Sequence, residues 1–316
     1  MYNKLKDRIK KGYRQYYMPQ FLPRKSYENC IINYDDAQST ILSLLETGNP
    51  CMISRFGSIE LSCYTNYRKG GHPFWWLRKT KPFWRNDYAL FEMQNNAGFF
   101  NGDHKTYCDF ADLLYDSAKQ IDILGTWMEN EKIIEKEMLY QKVKLLHLEP
   151  YFATNPWSKY LEGKDILVVH PFKKSIESQY KRRNLLFDNP NVLPKFKSLN
   201  VIKSVQSIGG NNCGFNSWFD ALHHMEQQID ATKYDVALIG CGAYGMPLAA
   251  HCKKKGKQAI HLGGALQLLF GIRGKRWEEQ YGMVHYTKML SNPSWVRPYQ
   301  EETPAQAQNI ESSCYW

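Results

Sequence analysis

The residues best placed to do chemistry lie in one short stretch, Arg55-Phe56-Gly57-Ser58-Ile59-Glu60. It follows the apolar run Cys51-Met52-Ile53-Ser54 and opens a helical pattern from Ser58 to about Tyr67. Strand, tight turn and helix N-terminus in that order present free backbone N–H groups and the positive end of a helix dipole. Both attract anions such as phosphate. Arg55 adds a planar cation, and Glu60, in the first helical turn, brings a carboxylate back toward the same opening. Two readings follow. One is a ligand mouth with a cation for phosphate and a carboxylate for chemistry. The other is a helix start in which Gly57 is the N-cap and Glu60 the capping glutamate three residues on.

Other motifs bear on the choice. Gly240-Cys241-Gly242-Ala243-Tyr244-Gly245 matches G-x-G-x-x-G after a strand pattern and before a helical one, the setting of a dinucleotide fingerprint. It lies late in the chain, and the next strand ends in His261 where an acidic ribose partner belongs. A turn letting a diphosphate approach the backbone, an NAD(P)-dependent oxidoreductase and a purely structural turn are the three readings. Arg273, Lys275 and Arg276 put three cations within four positions, loosened by Gly271 and Gly274. Such a group neutralises a leaving diphosphate without a metal, or forms a solvated basic loop. His223-His224 sits on a helix whose apolar positions already explain it. No HExxH, GxSxG or carboxylate cluster with metal spacing is present.

The elements that must position these residues alternate regularly. A helix capped by Asp35-Asp36 runs to about Thr47 and stops at Gly48-Asn49-Pro50. After the opening strand, residues 69–84 mix glycine, proline, aromatics (Trp75 and Trp76 among them) and basic residues, which reads as a long functional loop. Its aromatics suit stacking on sugar rings, a lipid interface or a satellite core. The turn at Asn96-Ala97-Gly98 is expected to line the same cleft.

The pattern then predicts helices over 106–119, 131–140, 155–162, 175–186, 216–229 and 246–254. Strands are expected over 121–124, 143–148, 165–169, 200–205, 235–239 and 258–262. Alternation of this kind argues an α/β fold, a mostly parallel sheet with helices on both faces. Ligands then bind beyond the carboxyl ends of the strands. Arg55, Gly57, Thr126, Glu149, His170, Gln206, Gly240, Gly242, His261 and Gly263 collect there. Residues 1–26 read as a basic amphipathic segment, 27–290 as one domain, and 291–316 as an extension packed on it.

Composition narrows the partners. Hydrophobic content of 43% with 23% charge is globular rather than disordered. A net charge of +10 points to an anionic partner. Nucleic acid is not expected, because no binding motif is present and the basic residues are dispersed rather than striped. The eight cysteines form no CxxC pair, which favours a reducing cytoplasm over disulfides or zinc. Neither a signal peptide nor an apolar stretch of ~18 residues is found, so the protein is expected to be soluble or peripheral. Leu5, Ile9, Tyr13 and Tyr16 recur at helical spacing among lysines and arginines, suiting either an anionic membrane surface or a solvated helix.

Arg55-Phe56-Gly57-Ser58-Ile59-Glu60 resembles the R-F-G-x-x-E signature of bacterial glycosyltransferases with the GT-D fold. Asn96-Ala97-Gly98-Phe99, His170-Pro171-Phe172, His261-Leu262-Gly263-Gly264 and Tyr315-Trp316 are similar to stretches of the same wider group, so the likeness covers about residues 35–316. The resemblance implies a Rossmann-like, GT-D-like fold and a hexosyltransferase, inverting, serving surface-polysaccharide biosynthesis such as capsule or O-antigen. It implies a nucleotide-sugar donor, read as a UDP-sugar, and a saccharide or lipid-linked saccharide acceptor at the inner face of the cell membrane. Glu60 becomes the catalytic candidate, as base, metal ligand or acceptor anchor. Arg55, Gly57, Ser58, His170, Gly240, Gly242, Gly245, His261, Gly263, Arg273, Lys275 and Arg276 become donor contacts, and Trp75, Trp76 and Asn96 acceptor contacts. Founding members bind a divalent metal through D-x-E. Here Ser58 replaces the aspartate, so no metal ligands are assigned and a role for Mn²⁺ or Mg²⁺ stays open.

Overall fold

The computed structural model describes residues 27–70, 87–135, 138–210, 213–280, 286–304, 307 and 315–316. Eight strands form one sheet in the order β1-β4-β3-β2-β8-β7-β5-β6, every pairing parallel. They are β1 Cys30–Ile31, β2 Cys51–Ser54, β3 Ile123–Thr126, β4 Gln141–Lys144, β5 Asp165–His170, β6 Ser198–Lys203, β7 Val236–Ile239 and β8 Gln258–His261. The main helices are α1 Tyr34–Glu46, α2 Ser58–Gly70, α3 Asp87–Asn96, α4 His104–Ala118, α5 Lys173–Tyr180, α6 Trp218–Asp230 and α7 Gly245–Lys254. This is the parallel α/β sheet that the alternation predicts, in a Rossmann-like arrangement.

Short apolar strands work here because both faces of the sheet are covered. Every residue of β2, β5, β7 and β8 is buried, the signature of a parallel sheet. Alternate side chains divide between two cores: Met52 joins α2, α4, α6 and α7, while Cys51 and Ile53 join α1 and the segments after β5 and β8. Helix α1 starts where the Asn33 side chain accepts the Asp36 N–H at 3.1 Å, and buries Ala37, Ile41, Leu42 and Leu45 on one stripe.

The connections open a crevice at one edge of the sheet. Helix α2, leaving β2, packs into the first core through Leu61, Cys63 and Tyr64. The segment leaving β8 packs into the second through Leu262, Leu266 and Leu269. Neighbouring strands whose chains depart to opposite faces leave a crevice at their carboxyl ends. The pair β7 and β5 repeats the arrangement, with α7 on the first face and α5 on the second.

Several boundaries differ from the pattern. The helix expected over 131–140 is a 3₁₀ turn Glu129–Glu131 and one helical turn Lys132–Glu135, because Glu131 turns back to cap its own entry. The strand expected over 143–148 is β4 followed by a 3₁₀ turn Leu145–Leu148, and the helix over 155–162 is the 3₁₀ turn Trp157–Leu161. Helix α5 starts ahead of 175 because Glu302 accepts the Lys174 N–H at 2.6 Å and the Ser175 N–H at 3.2 Å. It ends at Tyr180, with a 3₁₀ turn Arg183–Leu185 beyond. The segment before residue 27 and the loop residues Trp75 and Trp76 lie outside the described residues.

Candidate functional site at the carboxyl edge of the sheet

The β2 turn is built from the backbone up. Gly57 accepts the Leu61 N–H at 2.9 Å, which makes it the N-cap of α2, and Glu60 is the third helical residue. The Glu60 carboxylate folds back until Oε2 lies 1.8 Å from where a Gly57 Cβ would stand. The carboxylate occupies the space that a side chain at residue 57 would take, and glycine leaves that space free. Helix start and carboxylate therefore share one turn. Ser58 is exposed, and Arg55 and Glu60 are half-buried.

Arg55 crosses from β2 to β8. Its Cδ lies 3.5 Å from the missing Cβ of Gly263, a glycine at φ +60° that any L-residue would adopt only under strain. Gly263 in turn presents its carbonyl 2.5 Å from the missing Cβ of Gly240, and His170 Cδ2 lies 3.0 Å from that same point. Turns after β2, β8, β7 and β5 thus meet along one edge, which joins Arg55, Gly263, Gly240 and His170.

Both histidines there are neutral. Burial pushes His170 down to about 3; burial, aided by the Arg55 charge, does the same to His261. The Phe172 N–H donates to His170 Nδ1 at 3.0 Å, so the His170 proton sits on Nε2, a neutral donor. His261 Nδ1 shares a 3.0 Å hydrogen bond with Ser54 Oγ, and its Nε2 lies 2.3 Å from the missing Cβ of Gly245. His261 is thus packed beneath the start of α7. Gly242 holds φ +59° with its missing Cβ 3.7 Å from the Ala97 carbonyl, which brings the Asn96 turn to the same edge. The Ser207 hydroxyl fixes that turn, donating to the Gly98 carbonyl at 2.5 Å and lying 3.1 Å from the Tyr244 hydroxyl.

The cation group divides. The Arg273 guanidinium donates to the carbonyls of Asn292 at 3.2 Å and Trp295 at 3.1 Å, so it anchors the chain beyond residue 291 rather than reaching the crevice. Lys275 faces solvent 3.8 Å from Glu279. Arg276 donates to the Tyr315 hydroxyl at 3.0 Å and lies 4.6 Å over its ring. Tyr315 Cε1 stands 2.5 Å from the missing Cβ of Gly264, so this pair abuts the turn after β8.

Two residues of the edge escape the sequence reading, Trp127 and Glu131. The Trp127 indole N–H donates to the Phe56 carbonyl at 3.0 Å, and its ring lies 5.3 Å from the Arg55 guanidinium carbon. Glu131, almost fully buried, accepts the N–H groups of Trp127 and Met128, both at 3.1 Å, and the Thr126 hydroxyl. Burial pushes its carboxyl up to about 7 against these donors and Arg55. The available signal was an acidic residue shortly after a strand end, which the helical pattern absorbed.

Among the described residues no three His, Cys, Asp or Glu side chains converge as metal ligands. No helix among the described residues is long and apolar enough to cross a membrane.

No protein-family model matches the chain, and no curated protein does so either. A solved structure described as "Selenomethionine substituted structure of domain of unknown function 1792 (DUF1792)" is similar to it. That alignment covers 81% of this chain and 83% of the other at 14% identity and a TM-score of 0.43.

Proposed function

We propose that this chain is a glycosyltransferase that moves a sugar from a nucleotide-sugar, read as a UDP-sugar, to a saccharide acceptor. The observation that carries the reading is the Glu60 carboxylate folded over Gly57 on the same turn as Arg55, at the β2–β8 crevice. The R-F-G-x-x-E signature supports it from the sequence side.

In this reading the donor diphosphate lies along the edge, met by Arg55 and by the neutral His170 Nε2–H. Glu60 accepts the proton of an acceptor hydroxyl as that oxygen bonds to the anomeric carbon. The bond from the anomeric carbon to the diphosphate oxygen breaks, and its electron pair leaves on the nucleoside diphosphate. Arg55, with Arg276 beside Tyr315, stabilises that charge. Attack opposite the leaving group inverts the anomeric centre. Asn96, Trp75 and Trp76 are assigned to the acceptor. A lipid-linked acceptor and an anionic membrane under residues 1–26 belong to the same proposal.

Each glycine of Gly240-x-Gly242-x-x-Gly245 has a reason within the protein, so the turn adds no support for a dinucleotide. Calorimetric titration with UDP and with NAD, each with chelator and with Mn²⁺, tests the choice. UDP binding that persists in chelator is expected. UDP binding only with Mn²⁺ would return Glu60 to a metal ligand, and NAD binding without UDP binding would overturn the reading. In Glu60→Gln, transfer should fall by about 10²–10⁴-fold with UDP affinity within about two-fold. Transfer at the wild-type rate would sink the base assignment.

A further inference from the structure

The geometry points to Glu131 as the positioning residue of this site: it clamps the Thr126–Met128 turn so that Trp127 holds the Arg55 guanidinium at the β2–β8 crevice, in the pose that meets a donor diphosphate. The inference rests on the reading of Arg55 as a diphosphate contact. Three observations converge on it. Glu131 is 1% exposed and accepts from the Trp127 N–H at 3.1 and 3.3 Å, the Met128 N–H at 3.1 Å and the Thr126 hydroxyl. Trp127, so fixed at its backbone, is tied a second time through its indole N–H to the Phe56 carbonyl, one residue after Arg55. The Arg55 stem passes 3.5 Å from the missing Cβ of Gly263, while its guanidinium carbon lies 5.3 Å from the Trp127 ring centroid. Arg55 is thereby held between the turns after β3 and β8, and Glu131 is the group that fixes the first of them.

An apolar residue at 131 would leave these buried donors without an acceptor, a cost that favours rearrangement of the turn. Glutamine keeps one acceptor oxygen and approximately the same volume. Arg55 faces Glu131 from the β2 turn, Tyr140 from ahead of β4 and Cys30 from β1, with the Lys142–Glu135 ion pair beyond. Burial pushes the Tyr140 hydroxyl up and the Cys30 thiol to about 11, so both stay neutral near pH 7. His170 and His261, held near 3, do not titrate there either. Glu131 itself is pushed up by burial to about 7. Its ionisation above that pH offsets part of the Arg55 charge, and an anionic ligand then binds more weakly.

The test is calorimetric titration of the full chain with UDP-glucose, a probe with no ionising group between about pH 6 and 8. At pH 6.5, Glu131→Ala and Trp127→Ala should each weaken binding by about ten-fold, while Glu131→Gln stays within about three-fold of wild type. Wild-type affinity should fall by about three-fold from pH 6 to 8, and Glu131→Gln should flatten that profile. If Arg55→Ala loses binding but Glu131→Ala does not, or if Glu131→Gln keeps the wild-type profile, the positioning role is overturned and the donor site stands. Should Glu131→Ala fail to fold, Trp127→Ala decides, because it leaves the buried carboxylate and its donors in place. No binding by the wild-type chain overturns the donor reading itself, and this inference with it.

Discussion

Two turns of this molecule share one plan and differ in what fills the space of a missing side chain. After β2, Gly57 leads into α2; after β7, Gly240, Gly242 and Gly245 lead into α7. In the β7 turn that space holds rigid protein: the Gly263 carbonyl 2.5 Å from the position of a Gly240 Cβ, and the His261 ring 2.3 Å from that of Gly245. In the β2 turn it holds the Glu60 carboxylate, the end of a flexible side chain. A glycine turn that packs against its own scaffold needs its glycines for the fold, so the fingerprint it matches is no evidence of a ligand. One that makes room for a reactive group beside a cation can act on a ligand.

That comparison can be broken. The largest stability effect is expected for Gly240→Ala, whose new methyl meets a backbone oxygen and the buried His170 ring; a loss of about 1–3 kcal/mol is the usual cost of overpacking, read as a lowered Tm. Gly57→Ala should cost less than about 1 kcal/mol because a flexible carboxylate gives way, yet transfer should fall at least about ten-fold as Glu60 is displaced. If Gly57→Ala lowers Tm more than Gly240→Ala, or leaves transfer intact, the two turns do not differ as described.

The smallest effect concerns protons. His170 and His261 have native values near 3, below the ordinary 6.5, so the unfolded chain binds more protons between these limits. Their contribution to stability is present above about pH 6.5 and lost as pH falls toward 3. Glu131 and Glu149 behave oppositely, since burial raises them to about 7 and about 8 from 4.5. The stability that they contribute is present below about pH 4.5 and lost as pH rises through 7 to 8. Thermal melts should therefore show Tm falling between about pH 6 and 8.5 in the wild type and less steeply in Glu149→Gln. Equal slopes would refute the assignment for Glu149.

Much of the fold was legible because its signals are local. Cys51-Met52-Ile53-Ser54 and Asp165-Ile166-Leu167-Val168-Val169 read as strands because a doubly covered strand has to be apolar throughout. Gly48 and Pro50 mark the stop after α1, and Gly57 marks the entry to α2. The candidate site is legible in part for the same reason: strand ends collect at one edge, and Arg55, His170, Gly240 and Gly263, each at a strand end in the sequence, lie together there.

The remaining assignments depend on distance along the chain. The role of Arg273 is decided by Asn292 and Trp295, that of Arg276 by Tyr315, and the start of α5 by Glu302. Three cations within four positions look alike in a sequence, yet one anchors a segment, one faces solvent and one abuts the crevice. The parallel sheet, the glycine turns and the edge at which they collect are legible in the chain alone, because hydrophobic periodicity and backbone freedom act over a few residues. The assembled sheet is what tucks His261 under α7 and sets Trp127 against Phe56 and Arg55. Those contacts join turns that meet only when the sheet is assembled, and no periodic pattern in the chain encodes which turn lies beside which.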